Sequence, residues 1–348
     1  MSSTSDEPEA EAEGPEPETE ESSDPAAATA ESEPVGESQI CPVCSAVGAP
    51  GAMWCEACGA DFAGEHSALT GPPCIDCGAP HDEIIDGYCS ECGRKQPAER
   101  DHQTDSVSGP GGSLVVAASD RGLRHHQNED AFAIAIVGDQ LIAVVCDGVS
   151  TTSDPQDASL AAANAARDSL VAGLEAGSTD FEAELVNAVA AAQAAAAAVP
   201  IAAGASEGAP STTIVASVFV PSPEDAMVRS YTACLGDSRG YWLHSADGAP
   251  AVTQLTTDDE LDGSITKWLG ADAVDTAPNI TLADHDAGGA LLLCSDGLWK
   301  YAPSEDEMAA VLADHQELGG LELASALVAY ALEQGGHDNT TVVIAGIT

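Results

Sequence analysis

Two strongly apolar segments of this sequence each end at an aspartate that is followed by glycine. Residues 144–148 read Val-Val-Cys-Asp-Gly, and residues 291–297 read Leu-Leu-Leu-Cys-Ser-Asp-Gly. Short apolar runs bounded by turn residues predict buried β-strands, so Asp147 and Asp296 are expected where a strand leaves the core. Asp338 lies just before a third apolar run, at residues 340–347. The sequence therefore predicts three carboxylates at the ends of buried strands.

Carboxylates in such positions are costly to bury unless cations compensate them. Oxygen-only ligand sets favour Mg²⁺ or Mn²⁺. A single Asp-Gly pair is more often a turn than a ligand. The metal hypothesis therefore depends on the three aspartates occurring together with Glu129 and Asp130, which directly precede another predicted strand.

The remaining apolar patterns predict clustered strands and paired helices. Strands are predicted at residues 114–118, 131–137, 140–146, 212–220, 228–235, 240–244, 290–294 and 340–347, and helices at 155–174, 181–199, 305–315 and 321–333. Because strand–helix–strand alternations are few, this order predicts layered α+β structure rather than a doubly wound parallel sheet.

Changes in composition divide the chain into segments. Residues 1–40 are rich in Glu, Pro, Ser and Ala and hold 13 of the 58 acidic residues, which predicts a disordered acidic tail. Residues 96–112 are polar and contain Gly, Ser and Pro, as is typical of a linker. Residues 113–348 are predicted to form one globular domain.

Eight of the 11 cysteines form four Cys-x-x-Cys pairs, at Cys41, Cys44, Cys55, Cys58, Cys74, Cys77, Cys89 and Cys92. Two such pairs separated by about ten residues can complete a tetrahedral Cys₄ zinc site. The spacing predicts two structural zinc ribbons, at residues 41–62 and 74–95, with one Zn²⁺ each; disulfides and an iron–sulfur site are the alternatives. Segments this small have almost no apolar core, so a metal would hold them together.

The charge balance is strongly acidic, with 10 basic against 58 acidic residues and a net charge of −48. Such a chain repels phosphate backbones and anionic lipid, so nucleic acid and membrane surfaces are not expected partners. No Lys or Arg lies between Cys41 and Cys92, which favours a docking or regulatory role for the ribbons with a protein partner. Metal knuckles and isolated apolar cysteines favour a reducing compartment, the cytoplasm.

Several short motifs occur in a fixed order between Leu114 and Thr348. They are Ser119-Asp120-Arg121-Gly122, Asn128-Glu129-Asp130, Asp147-Gly148, Ser211-Thr212-Thr213, Gly236-Asp237-Ser238-Arg239, Leu255-Thr256, residues 265–270, Ser295-Asp296-Gly297-Leu298-Trp299 and Asp338-Asn339-Thr340-Thr341. In this order they resemble the PPM family, the metal-dependent type 2C protein phosphatases. The resemblance implies two packed, mostly antiparallel sheets flanked by helix pairs.

The resemblance also implies a binuclear Mn²⁺ or Mg²⁺ centre that hydrolyses phosphoserine and phosphothreonine in substrates of a serine/threonine kinase. The family's metal ligands fall on Asp147, the carbonyl of Gly148, Asp296 and Asp338. Asp147 is the position that bridges the two ions, and Glu129 and Asp130 match residues that hold water. Two close ions lower the pKa of a shared water molecule and stabilise charge on the phosphoryl group.

Four positions depart from the family pattern. The family's phosphate-binding arginine falls on His125, with Arg124 one position away. Val149 replaces a histidine found in animal relatives, and Ser150 and Thr151 replace a pair of glycines. An active phosphatase remains the main hypothesis, and a pseudophosphatase that binds phosphoproteins or acts as a scaffold is the alternative.

Other residues are expected to be structural. Asp237 and Arg239 are interpreted as an ion pair in a turn, and Thr212 and Thr213 as core strand residues. Cys146, Cys234 and Cys294 are expected as small core residues. Four histidines are expected at the surface: His102, His244, His285 and His315.

Overall fold

A computed structural model describes residues 39–40, 47–48, 73–85, 87–94, 96–201, 208–222 and 227–347 of the protein. The chain divides into two compact units, Met1–Glu83 and Ile84–Thr348. The predicted disordered tail up to residue 38 lies outside the described residues, as do the four cysteines of the first predicted ribbon, Cys41, Cys44, Cys55 and Cys58.

The second unit contains eleven strands of five residues or more among its described residues. They are β1 (His102–Ser108), β2 (Ser113–Asp120), β3 (Ala131–Val137), β4 (Gln140–Cys146), β5 (Ile214–Ser222), β6 (Met227–Leu235), β7 (Arg239–Ala246), β8 (Ala249–Gln254), β9 (Asn279–Asp286), β10 (Ala290–Cys294) and β11 (Thr340–Ile347). Two-residue strands lie at Gln39–Ile40, Val47–Gly48, Ile84–Ile85, Tyr88–Cys89, Ser211–Thr212, Glu260–Leu261, Ser264–Ile265 and Leu269–Gly270.

Five α-helices accompany these strands. They are α1 (Pro155–Glu175), α2 (Phe181–Ala197), the short α3 (Asp296–Trp299), α4 (Glu305–Asp314) and α5 (Gly320–Glu333). Short 3₁₀ helices lie at His81–Glu83, Glu99–Asp101 and Pro110–Gly112. Within the described residues, no helix is both long enough and apolar enough to span a membrane.

The long strands form two antiparallel sheets. One has the order β9-β6-β5-β4-β3, and the other has the order β8-β7-β10-β11-β2-β1. Helices α1 and α2 pack on the outer face of the first sheet, and α4 and α5 pack on the second. A third apolar cluster joins residues of both sheets, including Val145 and Leu293. This arrangement confirms the predicted α+β fold of two packed sheets flanked by helix pairs.

The Ala-rich sequence of α1 explains how closely this helix packs. Ala158, Ala162, Ala163 and Ala166 recur at helical spacing and are completely buried. Small side chains along one face allow the helix axis to approach its neighbours, and α1 lies against both α2 and the first sheet. Proline at the first helical position fits the start of α1, because its missing N–H has no helical acceptor there.

The prediction of a linker at residues 96–112 is wrong. Residues 102–108 form β1, which pairs in full with β2 at the edge of the six-stranded sheet. Most of the β1 side chains are exposed, so this edge strand needs no apolar alternation and its polar sequence resembles that of a loop. The folded domain therefore begins before residue 113.

The surface prediction is confirmed for His102, which is exposed, and is wrong for His285. Its side chain is only 9% exposed and stacks on Trp242 with ring centroids 4.1 Å apart. A hydrogen bond of 2.8 Å joins its Nε2 to the Ser230 hydroxyl. The core predictions are confirmed for Thr212, Thr213 and the three isolated cysteines, all of which are buried.

Candidate metal centre

The three strand-end aspartates predicted from the sequence lie together in the structure. Asp147 follows β4 of one sheet, whereas Asp296 follows β10 and Asp338 precedes β11 of the other sheet. Strands β10 and β11 are direct neighbours, which brings Asp296 and Asp338 close together. Burial raises the pKa of Asp147 well above its ordinary value, and the charges of Asp130, Asp296, Asp237 and Asp338 raise it further. These five carboxylates, Asp130, Asp147, Asp237, Asp296 and Asp338, are called the carboxylate centre below.

Two buried threonines hold the backbone of Asp147 in place. The Asp147 carbonyl accepts hydrogen bonds of 2.8 Å from both the Thr213 N–H and the Thr212 hydroxyl. Its own N–H donates to Thr213 Oγ1 at 3.2 Å. The Asp147 side chain therefore extends from a fixed backbone position at the end of β4. A metal ligand of defined geometry requires such a position.

Glycine at position 148 is required by close backbone approach. A Cβ atom there would lie 2.7 Å from the carbonyl oxygen of Glu129 and 2.8 Å from that of Pro155. The Gly148 N–H donates to the same Glu129 carbonyl at 3.2 Å. Any side chain at this position would therefore displace the segment that carries Glu129 and Asp130.

Asp130 is buried at the base of the centre. Its Oδ2 accepts a 2.7 Å hydrogen bond from the Ser295 hydroxyl, whereas its Oδ1 is buried with no hydrogen-bond partner. Burial is the main cause that raises its pKa to about 7, with further contributions from the charges of Asp296 and Asp338. The neighbouring Glu129 is held by different contacts: its N–H donates to Asn339 Oδ1 at 2.8 Å, and its Oε2 accepts from Ser150 at 2.6 Å.

Asp296 begins the short helix α3. Its Oδ1 is buried with no hydrogen-bond partner, and its Oδ2 forms an ion pair with Lys300 Nζ. Burial and then the charge of Asp338 raise the pKa of Asp296, and Lys300 opposes this shift. Sequence reasoning missed Lys300, although its spacing of four residues from Asp296 within a helical turn could have suggested the pair.

The structure separates the two candidate phosphate-binding residues. His125 Nε2 lies 3.2 Å from Asp338 Oδ1, and the His125 side chain is 25% exposed. Arg124 is an exposed residue. The imidazole therefore borders the carboxylate centre.

The interpretation of Asp237 and Arg239 as an ion pair is wrong. Arg239 instead pairs with Asp258 at 2.8 Å, and its guanidinium carbon lies 3.6 Å from the centroid of the Trp299 ring. Asp237 is buried, and its pKa is raised to about 6 by burial and by the charge of Asp296, against an opposing effect of Lys300. Asp237 therefore lies with the other residues of the carboxylate centre. The polar motif around it in the sequence did not indicate this.

The residues of the carboxylate centre fit divalent cations. Two buried carboxylate oxygens, Asp130 Oδ1 and Asp296 Oδ1, have no hydrogen-bond partner. Mutual repulsion between the carboxylates raises several of their pKa values, and such repulsion is relieved by bound cations. Since the donors are all oxygen atoms, Mg²⁺ and Mn²⁺ are the ions that suit them.

The second predicted ribbon has the local geometry of two metal knuckles. The Gly78 N–H donates to the Cys74 carbonyl at 2.9 Å, and the Gly93 N–H donates to the Cys89 carbonyl at 2.8 Å. Both glycines have positive φ, 72° and 73°, which favours glycine over other residues. The sulfur atoms of Cys74, Cys77, Cys89 and Cys92 all lie within 4.8 Å of one another, as a Cys₄ metal site requires.

No protein-family profile matches the chain. Among characterised proteins, the serine/threonine protein phosphatase PstP of two Mycobacterium tuberculosis strains is 33% identical over a 131-residue alignment that covers 32% of this chain. The match spans about a quarter (24%) of the length of PstP.

Two solved structures share the fold of this chain. A phosphatase from Toxoplasma gondii aligns with a TM-score of 0.53 at 16% identity, over 70% of this chain and 96% of the other. The S. agalactiae serine/threonine phosphatase aligns with a TM-score of 0.51 at 20% identity, over 71% and 100%. This chain therefore has the mixed α+β fold, with two antiparallel sheets, found in these phosphatases.

Proposed function

We propose that this protein is a metal-dependent phosphatase that hydrolyses phosphoserine and phosphothreonine in proteins. The observation that carries the proposal is the carboxylate centre, with two unpartnered buried oxygens, at the meeting point of two sheets. Their fold is shared with two phosphatases, one of which is a serine/threonine phosphatase. The sequence identity with PstP supports the same reaction class.

The metal ligands proposed are Asp147, the carbonyl of Gly148, Asp296 and Asp338. Asp147 would be the ligand shared by two ions, because its carboxylate is near that of each other member of the centre. When bound, two Mn²⁺ or Mg²⁺ ions supply a water molecule of lowered pKa and stabilise negative charge on the transferred phosphoryl group.

The chain's other residues would position water and substrate. Asp130 Oδ1 is an unused acceptor beside the ligands, and the Glu129 carboxylate accepts a hydrogen bond from the Ser150 hydroxyl. Both are suited to orient water by hydrogen bonds. His125, held at Asp338, is the donor proposed to bind the substrate phosphate. No cysteine nucleophile is involved, since Cys146, Cys234 and Cys294 are buried in the core.

Structural zinc is proposed for the cysteine knuckles, one Zn²⁺ for each of the two ribbons. The supporting observations are the sulfur cluster of the second ribbon and the matching sequence spacing of the first. We further propose that the ribbons bind a protein partner, that the substrates are those of a serine/threonine kinase, and that the protein works in the reducing cytoplasm.

The proposed reaction is tested by phosphate release from a phosphothreonine peptide and from para-nitrophenyl phosphate. The purified full chain should hydrolyse both in the presence of Mn²⁺ or Mg²⁺, and a chelator should remove the activity reversibly. A chain that binds Mn²⁺ and binds the phosphopeptide but hydrolyses neither substrate would instead be a pseudophosphatase that recognises phosphoproteins.

A further inference from the structure

Lys300 places an ammonium group at the carboxylate centre. Its Nζ pairs with Asp296 Oδ2, and the Lys300 side chain is 53% exposed whereas that of Asp296 is 12% exposed. Among the ion pairs of the described residues, this one alone joins a lysine or arginine side chain to a member of the centre. The whole chain has only 10 Lys and Arg residues, so a basic side chain at this position is unusual for this sequence.

The backbone around Lys300 fixes where this cation lies. The Lys300 N–H donates to the Asp296 carbonyl at 3.0 Å, which closes the turn of α3 and holds the two side chains on one face. The indole N–H of Trp299 donates to the carbonyl of Asp237 at 2.8 Å. Arg239 covers the Trp299 ring, so the turn that carries Lys300 is packed against the segment that carries Asp237.

The ammonium acts on more than its direct partner. Its charge stabilises the ionised forms of both Asp296 and Asp237, and Asp338 contributes to the electrostatic environment of Lys300. Lys300 therefore places a positive charge among carboxylates that would otherwise attract a further divalent ion. A cationic group that occupies Asp296 Oδ2 competes with a metal for that oxygen.

The charge balance of the carboxylate centre also favours a limit of two divalent ions. Two divalent ions would compensate four of the five carboxylates of the centre and leave one negative charge, and the ammonium of Lys300 compensates that remaining charge. Without this lysine, the uncompensated carboxylates would recruit an additional cation from solution.

We infer that Lys300 is a resident third cation of the centre, which occupies Asp296 Oδ2 and limits the site to two divalent ions. It is a positioning residue, because it acts through Asp296 and not on the substrate. The inference rests on the metal centre of the proposed function and adds the reason why that centre stops at two ions.

The test counts Mn²⁺ ions bound per chain by equilibrium dialysis of the full-length protein, with zinc measured separately by elemental analysis. Wild type should bind two Mn²⁺ ions. Lys300→Glu removes the ammonium and adds a ligand, so it should bind three. Lys300→Arg keeps the positive charge and should bind two. The matched control is Lys267→Glu, which makes the same charge change at a lysine paired with Asp275 and should also bind two.

A second variant keeps the inference testable if Lys300→Glu does not fold. Lys300→Met retains the aliphatic stem and frees Asp296 Oδ2, and it should lower the Mn²⁺ concentration for half-saturation by about tenfold, because one nearby positive charge is removed. Thermal unfolding in chelator should show Lys300→Met folded.

The outcomes separate the two hypotheses. The inference about Lys300 is wrong if Lys300→Glu binds two Mn²⁺ ions, as wild type does, and if the Mn²⁺ concentration for half-saturation of Lys300→Met is within twofold of the wild-type value. The phosphatase proposal still stands in that case, provided that wild type hydrolyses the phosphopeptide. If wild type binds no Mn²⁺, both are overturned. Three ions in Lys300→Glu, with two in Lys300→Arg and Lys267→Glu, support the inference.

Discussion

The guanidinium of Arg100 donates a 2.9 Å hydrogen bond to the backbone carbonyl of Asp130, so a segment with the composition of a linker is tied directly to the carboxylate centre. The same guanidinium donates to the Gln156 carbonyl at 2.6 Å and lies 3.4 Å from the Ser159 hydroxyl. The backbone carbonyl of Arg100 in turn accepts from the Asn128 side chain at 3.0 Å. The residues before β2 therefore support the loop that carries Glu129 and Asp130.

The first prediction concerns where the catalytic domain begins. Removal of residues 1–95 should leave a folded protein that hydrolyses para-nitrophenyl phosphate, because β1 and Arg100 are retained. Removal of residues 1–112 deletes both, leaves β2 as an unpaired sheet edge, and should abolish activity or solubility. Thermal unfolding and Mn²⁺-dependent turnover of the two truncated proteins decide this; equal activity in both would show that β1 is dispensable.

A point substitution tests the same contact without a change of length. Arg100→Ala should lower the free energy of unfolding by roughly 2–4 kcal/mol, since it removes several hydrogen bonds from a charged donor. Arg229→Ala breaks an exposed pair with Asp284 and should cost much less than Arg100→Ala. Urea unfolding of both variants supplies the comparison.

The second prediction concerns the metal ligands. Asp147→Asn should reduce kcat by several orders of magnitude, because it removes the ligand that two ions share. Asp296→Asn and Asp338→Asn should each raise the Mn²⁺ requirement and lower kcat. The metal-free Asp147→Asn protein should also be at least as heat-stable as the metal-free wild type, since one repelling buried carboxylate is gone.

Asp168→Asn is the matched control, because this exposed carboxylate pairs with the adjacent Arg167 at the surface. It should leave turnover unchanged. Mn²⁺ should raise the unfolding temperature of wild type and of Asp168→Asn, and much less that of Asp147→Asn. Activity close to wild type in Asp147→Asn, with bound metal measured, would falsify the binuclear assignment.

The third prediction concerns the zinc ribbons. Elemental analysis should find two zinc ions per chain that remain after mild chelation removes Mn²⁺. Cys77→Ser should reduce the zinc content to one, because a Cys₄ site loses a ligand. Ser90→Ala changes a knuckle residue that supplies no thiolate and should retain both ions. Fewer than two zincs in the wild-type protein would rule out the pair of structural sites.

The fourth prediction follows from the buried imidazole of His285. Burial lowers its pKa below the ordinary value, so the folded protein resists its protonation more than the unfolded chain does. The stability it contributes is therefore fully present above the unfolded pKa, near 6.5, and is lost as pH falls through the folded value. His285→Gln should be less stable at pH 8, because the stacking on Trp242 is reduced, but should lose less stability between pH 7 and pH 5.

His102→Gln provides the comparison for that experiment. His102 is exposed, so its replacement controls for the exchange of an imidazole for an amide at the surface. Free energies of unfolding measured at several pH values would test both variants. An identical pH dependence in His285→Gln and wild type would contradict the assigned role of burial.

The accuracy of the sequence predictions depended on where each residue lies in the sheets. Central strands such as β4 and β10 were located to the residue, because continuous burial on both faces leaves an unbroken apolar run. Three of the eleven long strands in the described residues were missed, β1, β8 and β9. All three lie at sheet edges, where one side is open to solvent and polar residues are tolerated.

Part of the candidate site was predictable, because some of its residues lie at the ends of apolar strands. The rest was missed, because it depends on tertiary contacts. Asp147 and Asp296 mark the ends of apolar strands, so local sequence indicates them. Asp237 follows β6 in a polar turn, and Lys300 reaches the centre only through the turn of α3. Contacts of this kind depend on tertiary packing between segments, which local patterns do not encode.

The last prediction concerns how the substrate phosphate is held. His125 lies at the centre through its 3.2 Å contact with Asp338, whereas Arg124 is exposed, so His125 is expected to bind phosphate and Arg124 is not. His125→Ala should raise KM for a phosphopeptide by about tenfold, the equivalent of one hydrogen bond to a charged group. His125→Arg should lower KM, because a guanidinium binds phosphate through two parallel hydrogen bonds.

Arg124→Ala should change KM by less than about twofold, because an exposed charge in solvent contributes little binding free energy. The Mn²⁺ concentration for half-maximal activity must be measured for each variant, because loss of His125 also removes a neighbour of Asp338. A collapse of kcat/KM in Arg124→Ala, together with unchanged kinetics in His125→Ala, would reverse the assignment and make the guanidinium the phosphate ligand.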